Sequence, residues 1–228
     1  MSKISATLNS HTEIIIKISL DILKEEDIIS IYLYGGYGRG EGSWIIENID
    51  KETVVRPYND YDIAIILKNK VPRERVILLE NELKKHINIK WIDISQYTIL
   101  DLKLFNVTIK NFDFKYASKW IYGDKGVLKY IPNMKAESIS LKDVEILYTT
   151  RLWTLIGSFP KSGLESMPKE DEMFFRNQMA KAILAIVDNV LIVNKQYNPS
   201  YKKRVEKLKN YCNDNQLLKL AKWALDEK

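Results

Sequence analysis

The sequence predicts an α+β fold in which a small mixed β-sheet domain precedes an α-helical bundle. In the first hundred residues, short runs of β-branched and aromatic residues alternate with segments of helical periodicity. Beyond about residue 98 the periodic stretches are mainly helical. The chain has 228 residues, of which 46% are hydrophobic, so it is long enough to bury a core. We therefore expect one domain over residues 1–100 and a second over residues 101–228.

The elements of each predicted domain are indicated by local patterns. In the first domain, apolar spacing predicts a helix over residues 11–24, and Pro72 opens another. Strands are predicted at Ile28–Tyr34, Tyr61–Leu67 and Ile87–Ile94, with a hairpin over residues 44–56. In the second domain, helices are predicted at Leu141–Ile156, Asp171–Lys195 and Pro199–Tyr211, with Asn198 as N-cap of the last.

Charge and cysteine content narrow the class of protein. Residues 1–100 hold 13 Lys and Arg against 15 Asp and Glu, a net charge of −2, whereas residues 101–228 hold 22 against 15, a net charge of +7. This asymmetry suits a metal site beside a polyanion ligand, although a solvated lysine-rich surface is the alternative. Cys212 is the only cysteine, so no internal disulfide forms. With no membrane-length apolar run and no signal-peptide pattern, we expect a cytoplasmic protein away from membranes.

A glycine-rich turn comes directly after the first predicted strand. Five of the eight residues 35–42 are glycine, and Ser43 comes next. Paired glycines let the backbone approach a phosphate group and point N–H groups at it, and an arginine can bind phosphate through its planar fork. We therefore assign Gly35, Gly36, Arg39 and Ser43 to nucleotide binding. The alternative is a flexible loop.

Three aspartates form the candidate metal site. Asp60 and Asp62 are two residues apart at the start of an apolar strand, so they project to the same face. Carboxylates that close repel each other, and bound Mg²⁺ relieves the repulsion. Asp93 interrupts a later apolar strand and joins them if the two strands are neighbours. Three carboxylates can hold two metal ions for in-line displacement at phosphorus. The alternatives are that Asp60 and Asp62 face water in a turn and that Asp93 ends its strand and caps the next segment.

These motifs resemble those of the DNA polymerase β-like nucleotidyltransferase superfamily. The family has an apolar residue and Gly, then Gly or Ser, an acidic pair and a third carboxylate; 33–36, Asp60 with Asp62, and Asp93 match this order. Residues 37–42 resemble the glycine-arginine turn of antibiotic nucleotidyltransferases. There are two departures. The gap between Gly36 and Asp60 is long, which the 44–56 hairpin explains, and Gly36 stands where serine is common.

The second half resembles the helical domain of aminoglycoside nucleotidyltransferases, which is related to HEPN domains. Residues 176–184 and 197–203 carry this likeness. The resemblance implies that Lys181, on an otherwise apolar helix, reaches the triphosphate, whereas the alternative is that its stem extends to solvent. Weaker candidates of the same kind are Tyr201, Lys202 and Arg204.

The resemblance implies an adenylyltransferase that uses ATP, or another nucleoside triphosphate, and two Mg²⁺ ions. Asp60 and Asp62 would bridge the metals and Asp93 would bind the one that activates the acceptor. The expected acceptor is a hydroxyl group of a small molecule, as in antibiotic-resistance relatives, and Glu145 or Glu165 is a candidate general base. Two alternatives remain: transfer to tRNA or protein, as in nucleotidyltransferase toxins, or an antitoxin that binds a HEPN-type partner. Nucleic acid is not favoured, because no RNA-binding motif is recognisable.

Five aromatic residues outside these motifs are expected to belong to the core, with one or two of them able to stack on a base or an acceptor. They are Tyr116, Trp120, Tyr122, Tyr148 and Trp153.

Overall fold

The computed structural model describes residues 2–49, 52–58, 60–160, 163 and 165–228. Within these ranges the strands are β1 (Ile28–Tyr34), β2 (Trp44–Ile49), β3 (Glu52–Pro57), β4 (Tyr61–Leu67), β5 (Ile92–Tyr97) and β6 (Lys119–Gly123). The helices are α1 (Lys3–Leu23), α2 (Gly35–Gly38), α3 (Arg73–Ile87), α4 (Ile99–Lys103), α5 (Ile109–Ala117), α6 (Leu141–Gly157), α7 (Lys169–Val193), α8 (Tyr201–Leu208) and α9 (Asn215–Asp226). The predicted α+β class, a small mixed sheet followed by helices, is confirmed.

Four strands form the main sheet, in the order β5-β4-β1-β6. β4 runs parallel to β5 and antiparallel to β1, and β1 is antiparallel to β6. β2 and β3 pair separately as the predicted hairpin, whose predicted turn includes Asp50 and Lys51, outside the described residues. The central pair β1 and β4 is apolar except at Ser30 and Asp62, as expected of strands covered on both faces.

One face of the main sheet packs against α1 and α3. The apolar stripes of these helices, including Ile15 on α1 and Leu79 and Leu83 on α3, are almost completely buried against residues such as Ile63 and Ile65 of β4. This packing requires the helical spacing that the sequence shows. It holds the backbone of β4 in place and leaves the opposite face of the sheet for other side chains.

Aromatic rings cover part of that opposite face. Phe114 on α5 makes edge contacts with Tyr32 and Tyr34, at ring-centroid distances of 6.2 and 5.6 Å. Tyr97 and Phe105 pack against the same ring, at 5.8 and 6.1 Å. These rings lie on the same face of the sheet as the polar residues at the ends of β4 and β5.

The helical part is built around α7, which packs against α6, α8 and α9. Small and aliphatic side chains, among them Ala180 and Leu184 on α7 and Ala224 on α9, fill its interior. Arg204 on α8 is 2% exposed and pairs with the buried Asp188 on α7. Its guanidinium also lies over the ring of Tyr201, at 4.2 Å from the centroid.

The chain divides into two compact units. The first comprises Met1–Asn106 and Asp113–Asn133, and the second comprises Val107–Phe112 and Met134–Lys228. The chain thus crosses between units three times, and residues 113–133 with β6 belong to the first unit. A division at residue 100 stays a prediction about where independently folding domains begin and end.

Several element predictions are corrected by the structure. The helix opened by Pro72 continues to Ile87, so β5 starts at Ile92 rather than Ile87. The last predicted helix starts at Tyr201, where Ser200 is the N-cap and its hydroxyl accepts from the Lys203 N–H. Asn198 instead accepts from the Ser200 N–H. β6 and α9 were not predicted.

The expectation that five aromatic residues belong to the core is wrong for most of them. Trp153 is 71% exposed, and the rings of Tyr116, Trp120 and Tyr148 are also exposed, while Tyr122 is half-buried. Helical or strand spacing alone does not tell which side of a surface element faces solvent. In the described part of the chain, no helix is long and apolar enough to cross a membrane.

Candidate metal and nucleotide site

The three predicted aspartates lie together at one end of the main sheet. Asp62 on β4 pairs with Asp93 on the parallel strand β5, and Asp60 comes just before β4. Each offers a carboxylate oxygen, and these oxygens lie within 4.8 Å of one another. Asp60 and Asp62 are half-buried and Asp93 is exposed. The parallel register brings the third carboxylate beside the pair, because directly paired residues project to the same face.

The donor set fits a divalent cation. Hard cations such as Mg²⁺ take carboxylate oxygens together with water and phosphate oxygens. Three carboxylates this close repel one another, and in a partly desolvated position the repulsion is screened less than in water. Bound Mg²⁺ would offset it. The oxygens of Asp60, Asp62 and Asp93 are close enough to share one ion or to bridge two.

Gly35 makes room for Asp62. It comes directly after β1 and has φ +63°, in the left-handed region that favours glycine. A Cβ atom placed there would lie 1.9 Å from Oδ2 of Asp62. Both its conformation and its lack of a side chain are therefore required for the carboxylate to occupy its position. The glycine-rich turn and β4 therefore meet directly at Gly35 and Asp62.

The rest of the turn is tightly packed. The Glu41 N–H donates to the carbonyl of Gly36 over 2.8 Å, which closes the turn behind α2. A Cβ at Gly42 would lie 2.2 Å from the ring of Tyr37, so glycine is required there as well. The Tyr37 hydroxyl donates to the carbonyl of the buried residue Ser43 over 2.5 Å. Ser43 thus anchors the end of the turn through its backbone.

Arg39 is held by carboxylates. Its side chain is 9% exposed, and its guanidinium pairs with Glu41 at 3.3 Å and with Asp113 on α5 at 3.2 Å. In this arrangement Arg39 ties the glycine-rich turn to α5. These pairs use Nε and Nη1, and the assignment of Arg39 to nucleotide binding stays a prediction.

Tyr34 and Ser95 accompany the three aspartates, although neither was predicted as a site residue. Tyr34, the last residue of β1, pairs with Asp62, and its hydroxyl lies 3.1 Å from the Ser95 hydroxyl on β5. Burial raises the pKa of Tyr34, the nearby Asp62 and Asp93 raise it further, and the Ser95 hydrogen bond opposes the rise. Tyr34 is therefore a neutral hydroxyl that bridges β1 and β5 across β4. Ser95 could have been found from its spacing, since it lies two residues after Asp93; the reach of Tyr34 depends on strand order.

The remaining predicted site residues belong to the second unit. Lys181 lies on α7, half-buried between the buried residues Ala180 and Ala182. Glu145 on α6 and Glu165 before α7 are both exposed. Their predicted roles at the triphosphate and as general base stay predictions. Arg204, the weaker candidate, is committed to its buried ion pair with Asp188.

No family model matches this chain, and no curated protein matches its sequence. Among solved structures, it is similar to the spectinomycin adenyltransferase AAD(9) from Enterococcus faecialis with ATP and spectinomycin, with a TM-score of 0.48 and 11% identity over 96% of this chain and 98% of that one. It is also similar to a mutant of the toxin–antitoxin MntA–HpeT, with a TM-score of 0.36 and 13% identity over 64% of this chain and 93% of the other. A toxin–antitoxin with AMP-PNP gives a TM-score of 0.36 and 15% identity over the same shares.

Proposed function

We propose that this protein is a Mg²⁺-dependent nucleotidyltransferase that transfers AMP from ATP to a hydroxyl group of a small acceptor molecule. The observation that carries the proposal is the convergence of Asp60, Asp62 and Asp93 directly beside the Gly35 turn. A carboxylate cluster alone is compatible with several kinds of site. Here one carboxylate of the cluster takes the space of a side chain in the glycine-rich turn, so a metal ion on the carboxylates and a triphosphate on the turn would be held at one point.

In the reaction, the acceptor oxygen attacks the α-phosphorus and forms a new P–O bond. The bond from that phosphorus to the bridging oxygen breaks, and pyrophosphate leaves with the bonding electrons. The hydroxyl proton passes to a general base. When bound, Mg²⁺ supplies charge neutralisation at the reacting phosphate and the leaving group.

The residues of the protein contribute to this chemistry by positioning the metal ions and the substrates. We infer that Asp60 and Asp62 would hold the metal ions and that Asp93 would contribute a further ligand on the acceptor side. The rigid strands β4 and β5 keep the carboxylates in place before substrate arrives, and such pre-organisation lowers the barrier without a reorganisation cost. The choice of ATP and of a small hydroxylated acceptor rests on the sequence resemblance.

The test is thermal stability with nucleotide and metal. A ligand that binds only the folded state at about 100 times its Kd adds about 2.7 kcal/mol to the unfolding free energy. We expect ATP with Mg²⁺ to raise the melting temperature of the wild type by several degrees, and ATP without Mg²⁺ to raise it much less. The Asp62→Asn variant should lose the Mg²⁺-dependent rise and transfer activity, because the amide is a neutral and weaker metal ligand.

Asp21→Asn is the matched control. Asp21 is exposed on α1 of the same unit and the change removes the same charge. It should retain the full rise with ATP and Mg²⁺. An equal rise in the wild type and in Asp62→Asn would refute the site assignment, and no rise with any nucleoside triphosphate would refute the proposed donor.

A further inference from the structure

Lysines and exposed aromatic rings of the first unit occur together on β6 and in the segment that follows it. Between Lys115 and Asn133 the chain has four lysines and a single carboxylate, Asp124. Residues 1–100, which form most of the same unit, carry a net charge of −2. Positive charge is thus concentrated on β6 and the turns after it.

Each of two exposed rings has lysine ammonium groups over its face. Lys125 lies over the ring of Trp120, with its Nζ 5.9 Å from the centroid. Tyr130 has two lysines over its ring, Lys129 at 5.4 Å and Lys103 at 5.7 Å. Trp120 and Tyr130 are each 39% exposed. We call these five residues the lysine–aromatic strip.

The backbone beneath the strip is well anchored. The Tyr32 hydroxyl donates to the Lys125 carbonyl over 2.9 Å, and Trp120 Nε1 donates to the Gly123 carbonyl over 3.1 Å. The carboxylate of Asp124 accepts from the Gly126 N–H over 2.7 Å and so stabilises the turn. Val127, in the middle of the strip, is fully buried. The rings are therefore presented by a fixed surface and lose little conformational entropy when a ligand stacks on them.

The lysines of the strip are available to an anion. Among the ion pairs that join described residues, none includes Lys103, Lys125 or Lys129. A Lys ammonium is a strong phosphate donor, and an exposed indole or phenol ring is a stacking platform for a base. The combination matches a ligand in which negative charges and flat apolar groups alternate. A single nucleic-acid strand has that pattern, whereas a duplex hides its base faces.

We propose that the lysine–aromatic strip binds single-stranded nucleic acid. Phosphate groups contact Lys103, Lys125 and Lys129, while bases stack on Trp120 and Tyr130. Trp120 pairs with Tyr32 on β1, the strand that separates β6 from β4, so this residue of the strip belongs to the same sheet as Asp62. The binding does not depend on nucleotide transfer, because it uses none of the three aspartates.

The experiment is a fluorescence-anisotropy titration of the full chain with a fluorescein-labelled 20-nucleotide single-stranded RNA at several salt concentrations. We expect saturable binding that weakens with salt, with a slope of log K against log salt of about −0.7 for each phosphate contacted. Lys125→Glu/Lys129→Glu should weaken binding about tenfold or more and make the slope shallower. Trp120→Ala/Tyr130→Ala should weaken binding with little change in slope, and Trp120→Phe/Tyr130→Phe should restore most of it.

The control is Lys219→Glu/Lys222→Glu, which makes the same charge change on two exposed lysines of α9. It should bind as the wild type does, and circular dichroism should show that every variant is folded. Equal weakening in this control would refute the proposal, since net charge alone would then explain the binding. So would no binding at low salt, equal affinity for inorganic polyphosphate of the same charge, or stronger binding to anionic phosphatidylserine vesicles. Retained binding in Asp62→Asn would separate this surface from the transferase site.

Discussion

At the scale of single residues, Gly35 and Asp62 share one small volume. The carboxylate of Asp62 fills the space that a side chain at Gly35 would take, and the positive φ of Gly35 turns the chain so that this space exists. The presence of each residue therefore explains the identity or position of the other. Glycine is therefore required for the carboxylate to take its position, whether or not the glycine N–H also binds phosphate.

Gly35→Ala should both destabilise the fold and abolish Mg²⁺-dependent nucleotide binding. The left-handed backbone costs a non-glycine residue about 1–3 kcal/mol, and the clash with Asp62 adds to it. Chemical denaturation and the ATP thermal shift measure the two effects. Gly157→Ala is the control, because Gly157 ends α6 with negative φ and no atom within 4 Å of an added Cβ. A Gly35→Ala protein as stable as Gly157→Ala would contradict the proposed shared volume.

His11 should give stability a pH dependence. Its Nδ1 lies 2.9 Å from the Tyr61 hydroxyl, and burial lowers the pKa of His11 below 6.5. Because the unfolded chain then takes up the proton more readily, stability is lost as pH falls through 6.5 and levels off below the folded pKa. We expect the unfolding free energy of the wild type, relative to His11→Gln, to fall from pH 7.5 to pH 5. A flat difference over this range would show that His11 is protonated equally in both states.

At the scale of elements, Arg204 joins α8 to α7. Its guanidinium is enclosed by Asp188 and by the rings of Tyr197 and Tyr201, and it donates to the Pro199 carbonyl over 2.9 Å. Removing one partner of a buried pair leaves the other charge uncompensated. α8 also packs Val205 and Leu208 into the interior, and the buried ion pair adds to this attachment to α7.

Arg204→Ala should therefore destabilise the second unit by about 3–5 kcal/mol. Amide hydrogen exchange should show that α8 and the adjoining part of α7 lose protection. Arg176→Ala is the control, since Arg176 is 44% exposed in its pair with Glu227 and an exposed pair contributes about 0–1 kcal/mol. Similar losses in the two variants would mean that the burial of Arg204 contributes nothing of its own.

Strong local sequence patterns predicted individual helices and strands well, but they could not predict which strands pair. The β-branched runs predicted β1 and β4 with the bounds that the structure has, because each strand is apolar at all but one position. β6 was missed because Lys119–Gly123 alternates weakly and comes after a helical stretch. The juxtaposition of Asp62 and Asp93 required strand order and register, and these depend on helices α1 and α3 as much as on the strands.

At the scale of the whole molecule, the main sheet is assembled from segments on both sides of the predicted boundary at residue 100. A cut at residue 100 falls where the helical pattern begins, but β6, which pairs with β1, comes later. Ser30 donates its hydroxyl to the Tyr122 carbonyl over 2.8 Å, and Tyr32 donates to carbonyls of the turn after β6. The sheet is therefore completed by residues on the far side of the sequence boundary.

A fragment of residues 1–100 should accordingly fail to form a stable monomer, whereas a fragment of residues 1–133 should fold. Without β6, β1 becomes an exposed apolar edge strand, which favours association between copies. The longer fragment includes Val107–Phe112 of the second unit and should carry Phe112→Ser, because the Phe112 ring loses its contact with Tyr197, at 5.9 Å, in this fragment. Size-exclusion chromatography with light scattering and circular dichroism distinguish a folded monomer from aggregate. A monomeric, cooperatively unfolding fragment 1–100 would show that the predicted boundary at residue 100 is a true domain boundary and that β6 is an addition to a sheet that is already stable.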